Sequence, residues 1–284
     1  MTVYHLPFGV LLRRWRERRR LTQADLALAA NSSTRHLSCL ETGKSQPSRA
    51  IIDRLTELLD VPLSDRNTLL LAAGFAPAYQ ETSIDGLEAA KAAMDRVLEA
   101  HKPFPAFAVD RHWNVVLSNA ALPQLYEGCS EALLRPPVNA MRLTLHPAGM
   151  GPRILNFAAW RAHSLSVLRQ QIDARADPWL QSLLTEIAAY PVPPGSASAD
   201  FERIDRLATP LRVATRLGPM SFLNTVTVFG TASDMTLAEL ALEMLFPADD
   251  ETVAIANLLQ SELVEPAPRN SFRLLGTTRG VMTT

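Results

Sequence analysis

A short segment near the N-terminus carries side chains that could read the edges of DNA bases. Leu37 and Leu40 stand three positions apart, so on a helix they share one face and point toward a core. The polar residues around them then lie on the outer or flanking faces. Arg35 is the best base reader in the segment, because one guanidinium can hydrogen-bond O6 and N7 of guanine together. The segment therefore suggests sequence-specific contact with a polyanion.

The charge distribution also favours a polyanion at this end of the chain. The 284 residues include 28 Lys and Arg and 29 Asp and Glu, a formal net charge of −1. Residues 1–50 hold nine Lys or Arg and three Asp or Glu, a net charge of +6, which leaves −7 for the other 234 residues. A basic module on an acidic body is expected when one end binds nucleic acid.

The sequence lacks the signals of several functional classes. No run approaches 18 consecutive apolar residues and the first residues do not resemble a secretion signal, so we expect a cytoplasmic protein without a membrane span. Cys39 and Cys129 match no paired motif, which predicts neither a disulfide framework nor a zinc site. The common hydrolase, phosphate-loop and zinc-protease motifs are missing and the six His are scattered. We therefore expect no catalysis, metal or cofactor.

The first 80 residues are predicted to form five short helices. At about 150 residues per domain the length predicts two domains, and 47% hydrophobic residues suffice for real cores. An apolar stripe at helical spacing marks the first helix, which ends near residue 20, and it consists of Phe8, Leu11, Leu12 and Trp15. Predicted N-caps and helix-ending residues bound the later helices: Thr22, Ser33 and Ser64, and Asn31, Gly43 and Gly74.

Residues 23–42 resemble the helix-turn-helix of the phage-repressor-like (Xre/Cro) family. Gln23 opens the second helix, and Ala27 supplies the small side chain that lets the two helices cross closely. The family usually has Gly at the turn, where this chain has Asn31. That departure is mild, because Asn adopts the left-handed region more readily than most residues. The end of the motif is also similar to the family: Leu40-Glu41-Thr42-Gly43-Lys44 followed by Pro47.

The resemblance implies that the third helix enters the major groove and that its N-terminal residues touch base edges. It also implies phosphate contacts by Gln23 and Lys44, which would fix the register without reading sequence. His36 could equally be an ordinary surface residue, and Cys39 a small tolerated side chain. The full set of expected DNA-binding residues is Gln23, Ser33, Thr34, Arg35, His36, Ser38, Cys39, Lys44 and Arg49.

Two other charged residues are expected to hold the fold. Arg16 and Glu41 match positions that form a structural ion pair in phage repressors. The resemblance thus implies a partly buried pair between the first helix and the end of the third. The basic run at residues 18–20 is instead expected to be a solvated face.

The remaining residues combine predicted hairpins with predicted helices. The hairpins pair residues 106–110 with 113–119, and 210–217 with 220–230 about Gly218-Pro219. Helices are predicted at 152–174, 178–190 and 249–263, with a short one at 122–126. Residues 237–246 fit either a helix or a strand. An amphipathic connecting helix before the first hairpin is marked by Leu87, Met94, Val97 and Leu98.

Residues 104–121 resemble the first hairpin of the MmyB-like ligand-binding domain, which is a PAS-like module. The segments that begin at Met141, Phe229 and Leu245 are similar to the family too, and the family places this domain after an Xre-type helix-turn-helix. The resemblance implies an apolar pocket for a fatty-acyl-like molecule. Its lining could come from eight residues, any of which could otherwise be ordinary core: Phe107, Trp113, Val115, Phe157, Trp160, Phe222, Val226 and Val228.

The two resemblances predict a multidomain chain, with an all-α five-helix helix-turn-helix domain followed by an α+β PAS-like domain with an antiparallel sheet. The expected limits are 1–79 for the first domain, 80–104 for a linker and connecting helix, 105–265 for the second domain and 266–284 for a tail. We expect a transcriptional regulator that binds double-stranded DNA as a homodimer and responds to a small apolar effector. The alternative is a regulator whose C-terminal domain serves only dimerisation or protein interaction.

Overall fold

The N-terminal part of the molecule is a bundle of five helices, as predicted. The computed structural model describes residues 6–83, 86–175, 177–194, 209–229 and 234–264, so the predicted tail 266–284 and part of the predicted loop 191–199 lie outside the described residues. The bundle consists of α1 (Phe8–Arg18), α2 (Gln23–Ala29), α3 (Thr34–Glu41), α4 (Arg49–Leu58) and α5 (Leu63–Ala72).

Local side-chain chemistry explains most of these helix boundaries. Thr22 and Asp25 form a reciprocal capping box at the start of α2, and the Ser33 hydroxyl accepts from the backbone N–H of His36 at the start of α3. Asn31 adopts φ +50° at the turn between α2 and α3, the left-handed conformation expected of it. The prediction that Ser64 caps α5 is wrong. The helix already begins at Leu63, directly after Pro62, so Ser64 lies inside its first turn.

The C-terminal part is an α+β domain around one five-stranded sheet. All described strand pairs are antiparallel, and the strand order is β2-β1-β5-β4-β3. The strands are β1 (Ala106–Val109), β2 (Val115–Ser118), β3 (Leu211–Thr215), β4 (Gly218–Val228) and β5 (Ala241–Pro247). The helices are α6 (Glu88–Ala100), α7 (Leu122–Leu125), α8 (Ala140–Leu145), α9 (Phe157–Arg175), α10 (Pro178–Ala188), α11 (Met235–Ala238) and α12 (Asp250–Val264).

The structure shows the conformation of residues 237–246, which the sequence had left open between helix and strand. Residues 237–246 divide into the end of α11 and most of β5, which is the central strand and pairs with both β1 and β4. Two neighbouring strands satisfy the backbone of β5, so tertiary pairing rather than local propensity sets its conformation.

Two predicted boundaries shift in the structure. The turn between β3 and β4 consists of Arg216 and Leu217, while Gly218 with φ +133° and Pro219 are already paired in β4. The long helix predicted from residue 152 begins only at Phe157, after a 3-10 turn at Gly151–Arg153. Asn156 interrupts the helix there, because its side chain bonds the backbone of residues 210 and 212 and fastens this loop to β3.

Both faces of the sheet are covered. Met94 and Leu98 of α6 pack on one face against Ala106, Ala108 and Leu242. On the other face a larger core is formed with α8, α9, α10 and α12. Val97, which was expected on the apolar side of the connecting helix, is instead 45% exposed.

Candidate DNA-binding surface and ligand pocket

The N-terminal half of α3 presents the residues expected to meet DNA. Leu37 and Leu40 are buried at 2% and 1% exposure, so the helix is fixed by its inner face. Ser38 and Cys39 are half-buried on its flanks. The outer residues are exposed, and they are Ser33, Thr34, Arg35 and His36. Because buried leucines set the orientation, these four side chains are held together at one end of the helix.

The two expected phosphate contacts, Lys44 and Gln23, and the expected DNA-binding residue Arg49 differ in their surroundings. Lys44 is exposed in the loop after α3, where its backbone N–H donates to the carbonyl of Cys39. Arg49 is exposed on the first turn of α4, with its Nε 3.9 Å from Asp53 Oδ2. Gln23 is half-buried, and its Nε2 donates to Glu41 Oε2 at 2.8 Å. Gln23 therefore has a structural partner in addition to any phosphate.

Arg16 and Glu41 form a buried, bidentate ion pair between α1 and α3. Arg16 Nε lies 2.6 Å from Glu41 Oε1, and Nη2 lies 2.9 Å from Oε2. Arg16 Nη1 also donates to the carbonyl of Leu21 at 2.8 Å. Hydrogen bonding to Glu41 raises the pKa of the Arg16 guanidinium above its ordinary value. With Gln23 as a third member, this network holds α1, α2 and α3 in their mutual orientation.

Gly9 is a further determinant of this arrangement that sequence reasoning missed. A Cβ built on Gly9 would lie 2.4 Å from the backbone oxygen of Glu41. Only glycine allows α1 to approach the end of α3 so closely. The available signal was a single Gly beside Phe8 in the first turn of an otherwise good helix.

A cavity of about 230 Å³ opens between the inner face of the sheet and helices α7, α8 and α9. Most of the lining is apolar or aromatic, as is usual for small-molecule sites. Four of the expected ligand-binding residues line it, and they are Phe107, Trp113, Trp160 and Val226. A second cavity of about 240 Å³ lies alongside and shares Trp113, Val167, Val226 and Glu243 with the first.

The other four expected pocket residues lie elsewhere. Val228 lines the second cavity. Phe157 and Phe222 are completely buried in the hydrophobic core, where they support the cavity instead of facing it. Val115 is half-buried on β2 and lines neither cavity. Some of the predicted aromatic residues thus line the cavity and others belong to the hydrophobic core, and residue type alone does not distinguish the two.

The first cavity also contains polar groups that sequence reasoning did not identify. Glu243, on the central strand, is 2% exposed, and Asn224 Nδ2 donates to its Oε2 at 2.6 Å. Burial raises the pKa of Glu243, and the hydrogen bond from Asn224 only partly opposes this shift. Asn224 Oδ1 and the indole Nε1 of Trp160 are buried without a hydrogen-bond partner. These groups add to the polar side chains of Tyr126, Thr144, His163 and Ser164 in a lining that is otherwise apolar.

Comparison with known families identifies both halves of the chain. Residues 90–259 match the model of the MmyB-like transcription regulator ligand binding domain. The chain belongs to the MmyB-like family. Residues 7–69 match the model of a helix-turn-helix domain, so both predicted resemblances and the predicted fold class are confirmed. The pairing of these two domains in one chain indicates a transcription regulator.

Other comparisons give weaker similarities for this MmyB-like chain. Among solved structures, the clp gene regulator ClgR from Corynebacterium glutamicum is 28% identical over 34% of this chain and 90% of that one, with a TM-score of 0.21. An RNA-binding light-oxygen-voltage receptor is 14% identical over 89% of this chain and 65% of that one, with a TM-score of 0.24. Among curated proteins there is no match.

The described part of the MmyB-like chain has neither a membrane-spanning helix nor a cluster of metal ligands. None of the helices within the described ranges is long and apolar enough to cross a bilayer. Over the same ranges, His, Cys, Asp and Glu form no group of three or more that is arranged to hold a metal ion.

Proposed function

We propose that this MmyB-like transcription regulator binds double-stranded DNA as a homodimer through α3, and that a small apolar, fatty-acyl-like effector bound in the first cavity controls its DNA affinity. The observation that carries the effector proposal is the open apolar space of about 230 Å³ in the domain's interior. Ordinary protein interiors are packed with few voids larger than a water molecule.

The DNA part of the proposal rests on the exposed N-terminal half of α3. Arg35 and Thr34 are exposed there while Leu37 and Leu40 fix the helix from below. A single recognition helix makes few base contacts, so two copies on half-sites one helical turn apart would provide the required specificity. Because the target is DNA and both cysteines are free thiols, we propose that the protein works in the cytoplasm.

The size and lining of the cavity support an apolar effector. A cavity of roughly 150 Å³ lined by aliphatic and aromatic residues is enough to bind benzene. The first cavity is larger, and the second lies beside it and shares four lining residues with it. Each buried Å² of apolar ligand surface contributes about 25 cal/mol, so affinity can come mainly from burial.

We propose the same domain limits as expected from sequence, with one change. Helix α6 packs against β1 and β5 through Met94 and Leu98, so it contributes to the core of the ligand domain. The connecting helix then belongs with the second domain, and the linker ends before it. Limited proteolysis should cut between residues 79 and 88 before it cuts within α6.

A dimerisation-only role for the C-terminal domain remains the second candidate because Val226 and Val228 are 57% and 62% exposed at the cavity edge. The deciding experiment is solvent extraction of the natively purified protein, followed by mass spectrometry, with light scattering on the same sample. A stoichiometric apolar compound supports the effector proposal. Its absence from intact dimers, together with no binding of added apolar compounds, supports dimerisation alone.

A further inference from the structure

Glu243 is an acid whose carboxyl group is buried in the interior of the ligand domain. It lies on the central strand β5, in register between Phe107 of β1 and Val226 of β4, and it faces the first cavity. Taking a carboxyl group out of water is costly unless a cation or several hydrogen bonds compensate it. Among the described residues Glu243 has one hydrogen-bond partner, Asn224, and no Lys or Arg of that part of the chain lines this cavity.

Two residues that line the first cavity, one on the sheet and one on α9, each have a buried polar atom without a partner. Asn224 Oδ1 is an acceptor without a donor, although the Nδ2 of the same side chain is already bonded to Glu243. The indole N–H of Trp160 is a donor without an acceptor, and Trp160 is only 8% exposed. Buried polar groups in folded proteins almost always have partners. Unpartnered groups around one cavity point to a ligand that supplies them.

The chemistry of these groups determines what kind of polar head fits. Glu243 and Asn224 are joined to each other and together offer carboxyl and amide oxygens, which are acceptors and need donors. A ligand carboxylate beside Glu243 would bring a second acidic group into the first cavity, which no Lys or Arg lines in the described part of the chain, while Arg111 and Arg175 line only the second cavity. Like charges disfavour each other strongly where the effective dielectric is low.

We propose that the effector carries a hydrogen-bond-donating, non-anionic head, such as an amine, amide or hydroxyl, that binds Glu243 and Asn224, while its apolar body fills the cavity. This inference rests on the proposed effector-binding function and narrows it. An amine is the best match for Glu243 and Asn224, because it supplies up to three donors and a positive charge for Glu243, whereas a hydroxyl or amide head could also accept from the Trp160 indole N–H. A free fatty acid is the worst match, although its chain would suit the walls.

Three probes share an eight-carbon chain and differ only in the polar head group, so they distinguish the contribution of the head from that of the chain. They are octylamine, octan-1-ol and octanoate. Binding to the full-length protein at neutral pH is measured by calorimetry below the concentrations at which the probes aggregate. We expect octylamine to bind most tightly, octan-1-ol next, and octanoate at least tenfold more weakly than octylamine.

Glu243→Gln keeps the size of the side chain and removes its charge. In this variant we expect the octylamine advantage over octanoate to fall at least tenfold, with octan-1-ol binding little changed. Glu127→Gln serves as the matched control, because Glu127 is an exposed acid of the same domain that does not line the first cavity. If Glu243→Gln does not fold, Asn224→Ala gives the second readout, with an expected loss of octylamine affinity of about tenfold.

The possible failures are distinguishable. If octanoate binds wild type as tightly as octylamine, or if all three probes bind alike, the donor-head inference is wrong and the effector-binding function stands. If none of the three probes binds and native extraction yields no apolar compound, the effector-binding function itself fails.

Discussion

Ser64 Oγ donates a hydrogen bond to Glu239 Oε1 at 2.7 Å, and the two residues belong to different domains. Ser64 lies on α5 of the DNA-binding bundle, and Glu239 follows α11 in the ligand domain. Beside this contact, Asn67 Nδ2 approaches Met235 Sδ at 3.1 Å. Glu239 also lines the second cavity, which shares walls with the first. The contact between domains is thus adjacent to the space proposed for the effector.

This proximity predicts that Glu239→Gln or Ser64→Ala weakens communication between the two domains. Allosteric coupling is typically 1–3 kcal/mol, or about 5- to 150-fold in affinity. We expect these variants to reduce the effector-induced change in DNA affinity at least several-fold, without altering effector affinity. Fluorescence anisotropy with labelled DNA, with and without effector, measures the effect.

Thr68→Ala is the matched control for this pair, because Thr68 is exposed on the same helix and its hydroxyl donates to the carbonyl of Ser64 within that helix. Unchanged coupling in Glu239→Gln and Ser64→Ala would show that this contact does not transmit the signal.

Glu243 predicts a specific dependence of stability on pH. An acid whose folded-state pKa is raised binds more protons in the folded state, so the free energy of unfolding falls as pH rises from the unfolded pKa of about 4.3 to the raised value. Each unit of that difference corresponds to about 1.4 kcal/mol. Glu243→Gln should remove this loss and raise the melting temperature at neutral pH.

The other titratable groups of the cavity do not reverse this expectation. Burial lowers the pKa of His163, which makes the free energy of unfolding rise with pH below about 6.5, and raises the pKa of Tyr126, which stays neutral over this range. Both groups are present in wild type and in Glu243→Gln, so their effects cancel in the difference between the two proteins. Thermal melts of wild type and Glu243→Gln between pH 4 and 8 test the prediction. Parallel curves for the two proteins would mean that Glu243 is solvated and ionised like a surface acid.

The buried ion pair of Arg16 and Glu41 predicts a large loss of folding stability when only one of the two residues is replaced. Glu41→Ala leaves the Arg16 charge buried without its partner, which typically costs 3–5 kcal/mol. A double variant, Arg16→Met with Glu41→Leu, should be much less damaging because no charge is stranded. Calorimetric unfolding of the three proteins measures the difference, and Glu17→Ala, which removes an exposed acid paired with Arg13, should change little.

Arg35 and Lys44 should differ in how they affect DNA binding. Arg35→Ala is expected to cost about 1–3 kcal/mol on the cognate site and to relax preference at one base pair. Lys44→Ala should weaken binding to all sequences alike and lower the salt slope by about one. Selection of binding sites from a random library, followed by salt titrations, distinguishes the two. If Arg35→Ala retains the full sequence preference, α3 does not read bases through this residue.

Local signals made the DNA-binding bundle predictable, whereas the pocket depends on distant contacts. Caps and apolar spacing lie within a few residues of α3, so its exposed face followed from Leu37 and Leu40. The face of Glu243 is fixed only by pairing with β1 and β4, and periodicity left that segment open. The contact of Ser64 with Glu239 joins residues 175 positions apart, and no local pattern contains that information.

Filling the first cavity from its open edge tests the effector proposal without disturbing the core. Val226 lines the cavity and is 57% exposed, so Val226→Phe can project into the space at little cost to packing. We expect at least tenfold weaker binding of octan-1-ol and loss of the effector response, while DNA affinity without effector is retained. Thr227→Phe is the matched control, because adjacent strand residues point to opposite faces and Thr227 is exposed.

Calorimetry and light scattering on the same two variants separate the candidate functions. Weaker octan-1-ol binding in Val226→Phe alone, with the oligomeric state unchanged, supports an effector cavity. If Val226→Phe binds octan-1-ol like wild type but dissociates a dimer, the exposed edge of β4 is an interface between subunits. The C-terminal domain would then act by association, because an interface residue can affect assembly while the cavity behind it stays accessible.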